Sequence, residues 1–505
     1  MEEKTTSNYI NLFTHPRSVI VLSVILLLPL LFMGTHTSHD WGDDFAQYIH
    51  QAKNIVNGIP QSETGYIYNT LSAVIGPHAY PMGFPLLLAP IYSITGNNML
   101  AFTTYISVIY IILGLLMVSF YRKNFSAIIS LLLTFIFLYN PQMILFKGEV
   151  MSDIPFTALL LLNLILYQKL KSGNLIQMIL LSVFIGFMLA VRPAGITFVA
   201  AIIMEQLVLL YKRKTKIRDF VIHTGIFTII PILVYLTINL LVFQIPSGGS
   251  TYDYQIFFSS INLIRIIPEN VVHHIKVLRY FLVPETGNFK GFSYFFGAIM
   301  MIMILLGFIK RIRKNPEVMD WLFIFYFIML IIYPKNASAF RLMIPLGFIF
   351  LFYAATGIQT IKMVAEISAW KKAVAIGLLF FVLYMPGIIG VVVAGNKILD
   401  GPQIPSSVEA FDFINKNVPP TAIVVFAKPR ALALYSGCQS MADPLTDDPA
   451  QINYQIMEAR ASYLLIHSKL TKEPMKQYLR LKQNRITRQW ENKDFVLYKL
   501  NFVSP

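Results

Sequence analysis

The sequence predicts a mainly α, polytopic membrane helix bundle of about eleven spans, followed by a small extracytoplasmic α/β domain. Three observations predict it. Hydrophobic residues make up 56% of the 505-residue chain and charged residues only 13%, a balance too apolar for a water-soluble protein. The apolar residues fall in runs of span length, and most lysines and arginines sit in short clusters between them. After Gly395 the pattern changes to evenly spread charge and short β-branched runs. The formal net charge of +15 is therefore read as membrane topology, and no nucleic-acid partner is expected. Cys438 is the only cysteine, which excludes an intramolecular disulfide framework and a cysteine-rich metal site.

Lys4 and Arg17 precede the first run, Ser18 to Gly34, and acidic residues follow it. Residues 1–17 are thus expected in the cytoplasm and the first loop, 36–97, outside. No small-x-small cleavage site precedes His36, so the run is expected to stay as a span. From Asp43 to Val56 apolar residues recur at helical spacing, which predicts a helix on the membrane surface whose acidic end caps its own amino terminus. Pro81 to Thr95 is short and proline-rich. Because Arg122 and Lys123 mark the next cytoplasmic loop, the one crossing before them goes to Asn98–Phe120, and 81–95 is expected to be interfacial or re-entrant. The remaining spans are Phe125–Pro141, Ile154–Tyr167, Leu175–Val191, Gly195–Leu210, Phe220–Phe243, Phe292–Ile309, Trp321–Tyr333, Leu342–Gly357 and Ala373–Ala394. Together 18–394 form the expected membrane domain, with a long outer loop at 244–290 that carries a helix-like tract from Ile256 to Leu282.

The tail, 395–505, is expected to alternate helix and strand: helix Ser406–Asn417, strand Ala422–Ala427, helix Pro429–Ser436, strand Tyr463–His467, helix Glu473–Gln483 and strand Phe495–Leu500. No Gly-x-Gly-x-x-Gly follows its first strand, so no nucleotide cofactor is expected.

On this topology four polar clusters share the outer side: Asp40/Asp43/Asp44, Lys147/Glu149/Asp153, Arg192, and Lys335/Arg341. Such clusters suit a transfer in which a carboxylate takes the proton of an acceptor hydroxyl while arginine or lysine steadies an anionic leaving group. Each cluster also has a plainer reading. Asp43 or Asp44 can cap the following helix, yet three aspartates within five residues exceed what a cap needs and repel one another unless a cation or a reaction offsets them. Glu149 and Asp153 share a face if their stretch is helical, and Ser152-Asp153 before Pro155 is equally an ordinary helix start. Arg192, before Pro193, and Arg341 can anchor spans by snorkelling, as can Lys147 and Lys335. Tyr80, Phe84 and Tyr92 are expected to pack at the interface, with a substrate contact of Tyr80 as the alternative. His36, His39, His50 and His78 could help the aspartates bind a metal, but they match no zinc spacing and are expected to be solvated or hydrogen-bonded; His273-His274 is expected at the surface.

The order of these segments resembles the membrane-embedded GT-C glycosyltransferases, particularly the bacterial relatives of protein O-mannosyltransferases and of the aminoarabinose transferase that modifies lipid A, the family 39-like group. The matching residues are Gly42-Asp43-Asp44-Phe45-Ala46-Gln47-Tyr48, Tyr80-Pro81-Met82-Gly83-Phe84-Pro85, Glu149 to Pro155, Arg192-Pro193-Ala194-Gly195, and Phe340-Arg341 through Pro345. The resemblance implies a polyprenyl-phosphate sugar as donor, inversion at the anomeric carbon, and a first-loop aspartate as base. Carried onto this chain the base is Asp43, with Asp44 second. Glu149 and Asp153 match an acidic position that helps a metal or the acceptor, so a divalent metal, where one is used, is expected at Asp44, Glu149 and Asp153. Arg341 matches a basic position near the lipid phosphate, and Arg192, Lys335 and Tyr80 join it as substrate-binding residues.

The expected function is therefore an inverting glycosyltransferase of the cytoplasmic (inner) membrane, acting at its outer face on a lipid, glycan or protein hydroxyl. Nucleotide sugars are scarce there, whereas a lipid-linked sugar presents its phosphate at the membrane surface. Two other readings stay open. A transporter or flippase for a lipid-linked sugar would place ionisable residues near the bilayer midplane, but Glu205 is the main charge within a span and lies near a cytoplasmic end. An O-antigen polymerase or ligase would use a large outer loop with arginines, and 244–290 contains Arg265 and Arg279.

Overall fold

The computed structural model describes residues 16–171, 173–244, 263–281, 290–333, 339–361, 367–394 and 398–501. The chain divides into two compact units. The first takes Met1–Thr35, Thr103–Thr237 and Asn262–Asn396; the second takes His36–Phe102, Ile238–Ile261 and Lys397–Pro505.

The first unit is a helix bundle. Among the described residues seven helices are long and apolar enough to cross a membrane, and a bent pair, Ala127–Leu138 with Pro141–Lys147, makes an eighth candidate. Three of the expected spans fall on shorter apolar helices, Arg17–Leu31, Leu175–Val191 and Val318–Ile332. The bend of 65° has a local cause. Asn140 accepts the Gln142 amide through its side chain, and Pro141 opens the next helix where its missing N–H costs nothing. Proline also sets the turn between Leu175–Val191 and Ile196–Tyr211. Pro193 holds Arg192 in extended backbone and starts a single 3-10 turn, so the Arg192 side chain leaves from the reversal. The helices Lys290–Lys314 and Gly347–Ile358 cross backbone to backbone at two glycines. A Cβ on Gly307 would meet the Tyr353 carbonyl, and one on Gly357 would meet the Met303 carbonyl.

Charges near the expected cytoplasmic ends are spent on structure. Glu205 accepts hydrogen bonds from the Tyr167 hydroxyl (2.8 Å), Lys171 (3.0 Å) and the first-turn amide of Val318 (3.1 Å). Asp320 accepts from Tyr353 (2.6 Å) and Arg311 (3.1 Å), and its other oxygen closes a capping box with Glu317.

The second unit is built on a six-stranded sheet. Its strands are β1 (Tyr66–Ile67), β2 (Ile423–Val425), β3 (Gln439–Met441), β4 (Ala461–His467), β5 (Ile486–Glu491) and β6 (Phe495–Leu500). The order is β1-β3-β2-β4-β6-β5; the first four run parallel and the last two pairings are antiparallel. Helices cover both faces. Ala410, Phe411, Ile414 and Leu432 pack with Val424, Leu465 and Phe495 on one; Ile452, Ile456, Met475 and Tyr478 pack with Val425 and Leu464 on the other. The alternation Val424/Val425 and Leu464/Leu465 across the two cores is the period of two that a strand imposes. Two contributions come from the first loop: strand β1, and Trp41, which lies in the first of the two cores.

The first-loop helix spans Asp44–Asn57 and ends on Gly58 in the left-handed region, its N–H returned to Asn54 and Ile55. The polar residues of this helix, expected on the membrane surface, are buried. Gln47 donates to the His78 carbonyl (2.7 Å), Gln51 exchanges two bonds with the Tyr80 backbone, and Asn54 donates to the Pro60 and Glu63 carbonyls. These side chains fasten the polar stretch from 60 to 82 onto the helix. The segment after it forms a helix, Gly83–Thr95, of 13 residues, below the length of a straight span.

Candidate functional site

In the second unit the acid pair opens the Asp44–Asn57 helix, but the expected self-cap does not form. Asp43 stands at the N-cap with helical backbone (φ −100°, ψ −23°) and makes no cap bond to its own helix. Its Oδ1 instead accepts the Ala431 amide (3.2 Å), in the first turn of the Pro429–Ser436 helix that follows β2. One acid of the loop thus satisfies an otherwise open amide of a tail helix.

Arg430 is the residue that the sequence did not disclose. It is fully buried, donates to Asp44 Oδ1 (3.1 Å), to the Tyr80 hydroxyl (3.0 Å) and to the Pro77 carbonyl (2.5 Å), and lies over the rings of Tyr66 and Tyr80. Tyr80 donates its own hydroxyl proton to Asp44 (2.5 Å) and stacks on Tyr48 at 4.5 Å. The expected interfacial tyrosine is therefore buried beside the acid pair. The signal that could have found Arg430 is its place in the first turn of a helix, where a basic residue opposes the helix dipole and gains from a nearby acid.

The two aspartates are consequently unequal. Asp44, a quarter exposed, holds two strong donors. The Asp43 side chain is only 6% exposed, and burial pushes its pKa up to about 6 against the pull of Arg430 and Lys428 and the Ala431 amide, with Asp44 adding to the rise. Its Oδ2 is buried without a hydrogen bond among the described residues. Arg430 is held charged: burial would lower its pKa, but Tyr80, Asp43, Asp44 and Tyr66 carry it above the ordinary arginine value. Asp40 stands apart from the pair, accepting from the Gly42 amide (2.8 Å) and facing His39 (3.0 Å), and so shapes the turn that precedes Asp43.

In the first unit a second cluster forms around Asp153, which is fully buried at the start of the Asp153–Leu170 helix. Arg192 donates to its Oδ1 and Arg341 to its Oδ2 (2.8 Å), the two arginine side chains being 15% and 18% exposed. Two guanidinium groups thus converge on one carboxylate, a donor-rich arrangement that suits an added anion. Neither arginine is the snorkelling anchor of the plain reading. Glu149 and Asp153 do not share a helix: one helix ends at Lys147, and the next begins at Asp153 after the Ser152 N-cap. Lys147 is no interface anchor either; it is fully buried and donates to Ser107 (2.6 Å) and Thr35 (3.1 Å). His274, expected at the surface, is buried against the Leu330 carbonyl (3.0 Å). Lys335 lies outside the described residues.

Of the acids expected to hold a metal, Asp153 does not fit one, since a guanidinium occupies each of its oxygens. Asp44 already faces Arg430. A divalent cation at Asp153 would displace an arginine, and Asp44 Oδ1 already accepts from both Arg430 and Tyr80.

Solved structures give the architecture a place. An oligosaccharyltransferase from Archaeoglobus fulgidus in the apo form superposes with a TM-score of 0.58 at 13% identity, over 93% of this chain and 72% of that one. The same enzyme in complex with Zn and sulfate gives 0.60 at 12% identity, over 96% and 73%. ArnT from Cupriavidus metallidurans bound to undecaprenyl phosphate gives 0.54 at 12% identity, over 96% of this chain and 98% of that one. The chain has the GT-C fold. No family model matches the sequence, and no curated protein matches it. The likeness thus resides in the fold, and spans nearly the full length of the GT-C protein ArnT.

Proposed function

We propose that the chain is an inverting glycosyltransferase that moves a sugar from a polyprenyl phosphate to an acceptor hydroxyl at the outer face of the cytoplasmic membrane. The observation that carries this reading is the division of the first-loop acid pair into unequal members. Asp43, with its raised pKa and an oxygen without a hydrogen bond among the described residues, is the general base; Asp44 is fixed beside it by Arg430 and Tyr80. A base titrating near 6 is largely ionised at neutral pH, yet keeps enough basicity to take a proton from a hydroxyl as it attacks.

The bond from the acceptor oxygen to the anomeric carbon forms as the bond to the phosphate oxygen breaks. The hydroxyl proton goes to Asp43, and the electron pair leaves with the polyprenyl phosphate. Arg341 and Arg192, which share Asp153 within the first unit, are assigned to binding the donor's phosphate, as the resemblance implies. That a GT-C protein of nearly the same length was crystallised with undecaprenyl phosphate supports this class of donor.

Incubating the purified protein with a panel of polyprenyl-phosphate sugars and an acceptor mixture, and following free polyprenyl phosphate, tests the reading. Release with at least one donor is expected. A protein that moves donor across vesicles without releasing polyprenyl phosphate from any member of the panel is a transporter, and the proposal fails.

A further inference from the structure

In the α/β layer of the second unit the first loop packs at the place where an open parallel sheet commonly takes a ligand. In an open parallel sheet a ligand binds outside the carboxyl ends of strands where the chain order reverses. Here β3 lies to one side of β2 and β4 to the other, so the reversal falls between β2 and β4. Trp41 occupies that place. Its ring lies 5.9 Å from that of Phe426, just past β2, and 5.7 Å from that of His467, the last residue of β4, while its indole N–H reaches Asp400 (3.1 Å). Two residues on, Asp43 takes the first-turn amide of the helix after β2, the position where such folds receive an anion.

We infer that Arg430 is a positioning residue for the acid pair, and that the C-terminal α/β layer serves the reaction by orienting Asp43 and setting its charge. The geometry of the contact carries this. Arg430 Nε and Asp43 Oδ2 stand 4.0 Å apart, both buried, and neither has a hydrogen bond among the described residues. The rest of the guanidinium is fixed by Asp44, Tyr80 and Pro77. When Asp43 is protonated no ionic attraction draws the two atoms together. When Asp43 gives up its proton, a small approach turns the gap into a charge-assisted hydrogen bond that stabilises the ionised form. The other charged or titratable groups around Asp43 are Asp44 on its own helix, Lys428 beside Arg430, Tyr66 of β1, and Tyr80 and His78 of the 76–82 segment. Among them Arg430 is the only buried cation.

This inference rests on Asp43 as the base, and its test separates the two. In the full-length protein the protonated-carboxyl infrared band that disappears in Asp43→Asn is titrated against pH, alongside the pH dependence of turnover. In Arg430→Gln the band is expected to persist to higher pH by about 1–3 units, the acidic limb of turnover moving with it while the donor KM stays near wild type. Arg430→Lys, which keeps the charge and loses the fork, is expected to fall between the two. A band that titrates at the wild-type pH in both variants, or turnover that falls by one factor at every pH, overturns the positioning role. Turnover that survives Asp43→Asn overturns the base assignment instead, whatever the band does.

Discussion

Two adjacent aspartates differ in chemistry here because of what each touches. Asp44 accepts from two donors, whereas Asp43 is buried with one oxygen lacking a hydrogen bond among the described residues. The pair itself was legible, since repulsion among clustered carboxylates needs an offset. The offset was not, because Arg430 lies 386 residues further along the chain and no local pattern links them. The same unit holds a second buried acid, Asp443, just after β3, whose carboxylate oxygens have no hydrogen bond among the described residues. Burial raises its pKa from 3.8 to about 7, with Lys472 opposing. The folded state therefore binds this proton more tightly than the unfolded state, so stability is lost as pH rises from about 4 to about 7. Asp443→Asn removes that loss. Its thermal midpoint in detergent is expected to exceed the wild-type value at pH 8 and to approach it at pH 4; an advantage that does not grow with pH contradicts the assignment.

Helix ends and crossings place these residues, and they were unevenly visible. Strong periodicity gave Pro429–Ser436 and Phe495–Leu500 with their observed bounds, and Asp44–Asn57 within one residue at each end. The three-residue β3 and the polar edge strand β5 carry too little alternation to announce themselves, and the two-residue β1 exists only because the tail offers it a partner. Helical spacing placed Glu149 and Asp153 on one face, yet Gly148 and the Ser152 cap interrupt the chain between them. The helix crossing at Gly307 and Gly357 was invisible too, since a glycine in an apolar run shows no partner. Gly307→Val should force the Lys290–Lys314 and Gly347–Ile358 helices apart at a cost of about 1–3 kcal/mol or more, read as a lower thermal midpoint of the purified protein. Unchanged stability would mean that the close crossing is not part of the native packing.

At the scale of the whole chain, composition and basic loops were enough for a polytopic helical protein with an α/β tail, because hydropathy and charge record membrane physics directly. The GT-C resemblance, rested on short motifs in order, agrees with the fold of solved structures at only 12–13% identity. Glu205, the charge that kept a transporter in view, is tied to Tyr167, Lys171 and a helix-start amide, a structural role. What the sequence left hidden is the tail's part in the candidate site, since its helix N-terminus and Arg430 meet the first loop only once the sheet has formed. If Asp43 takes the acceptor proton, initial rates of polyprenyl-phosphate release at neutral pH fall by about 10²–10⁴-fold in Asp43→Asn with donor binding retained; a variant that turns over at the wild-type rate rules Asp43 out as the base.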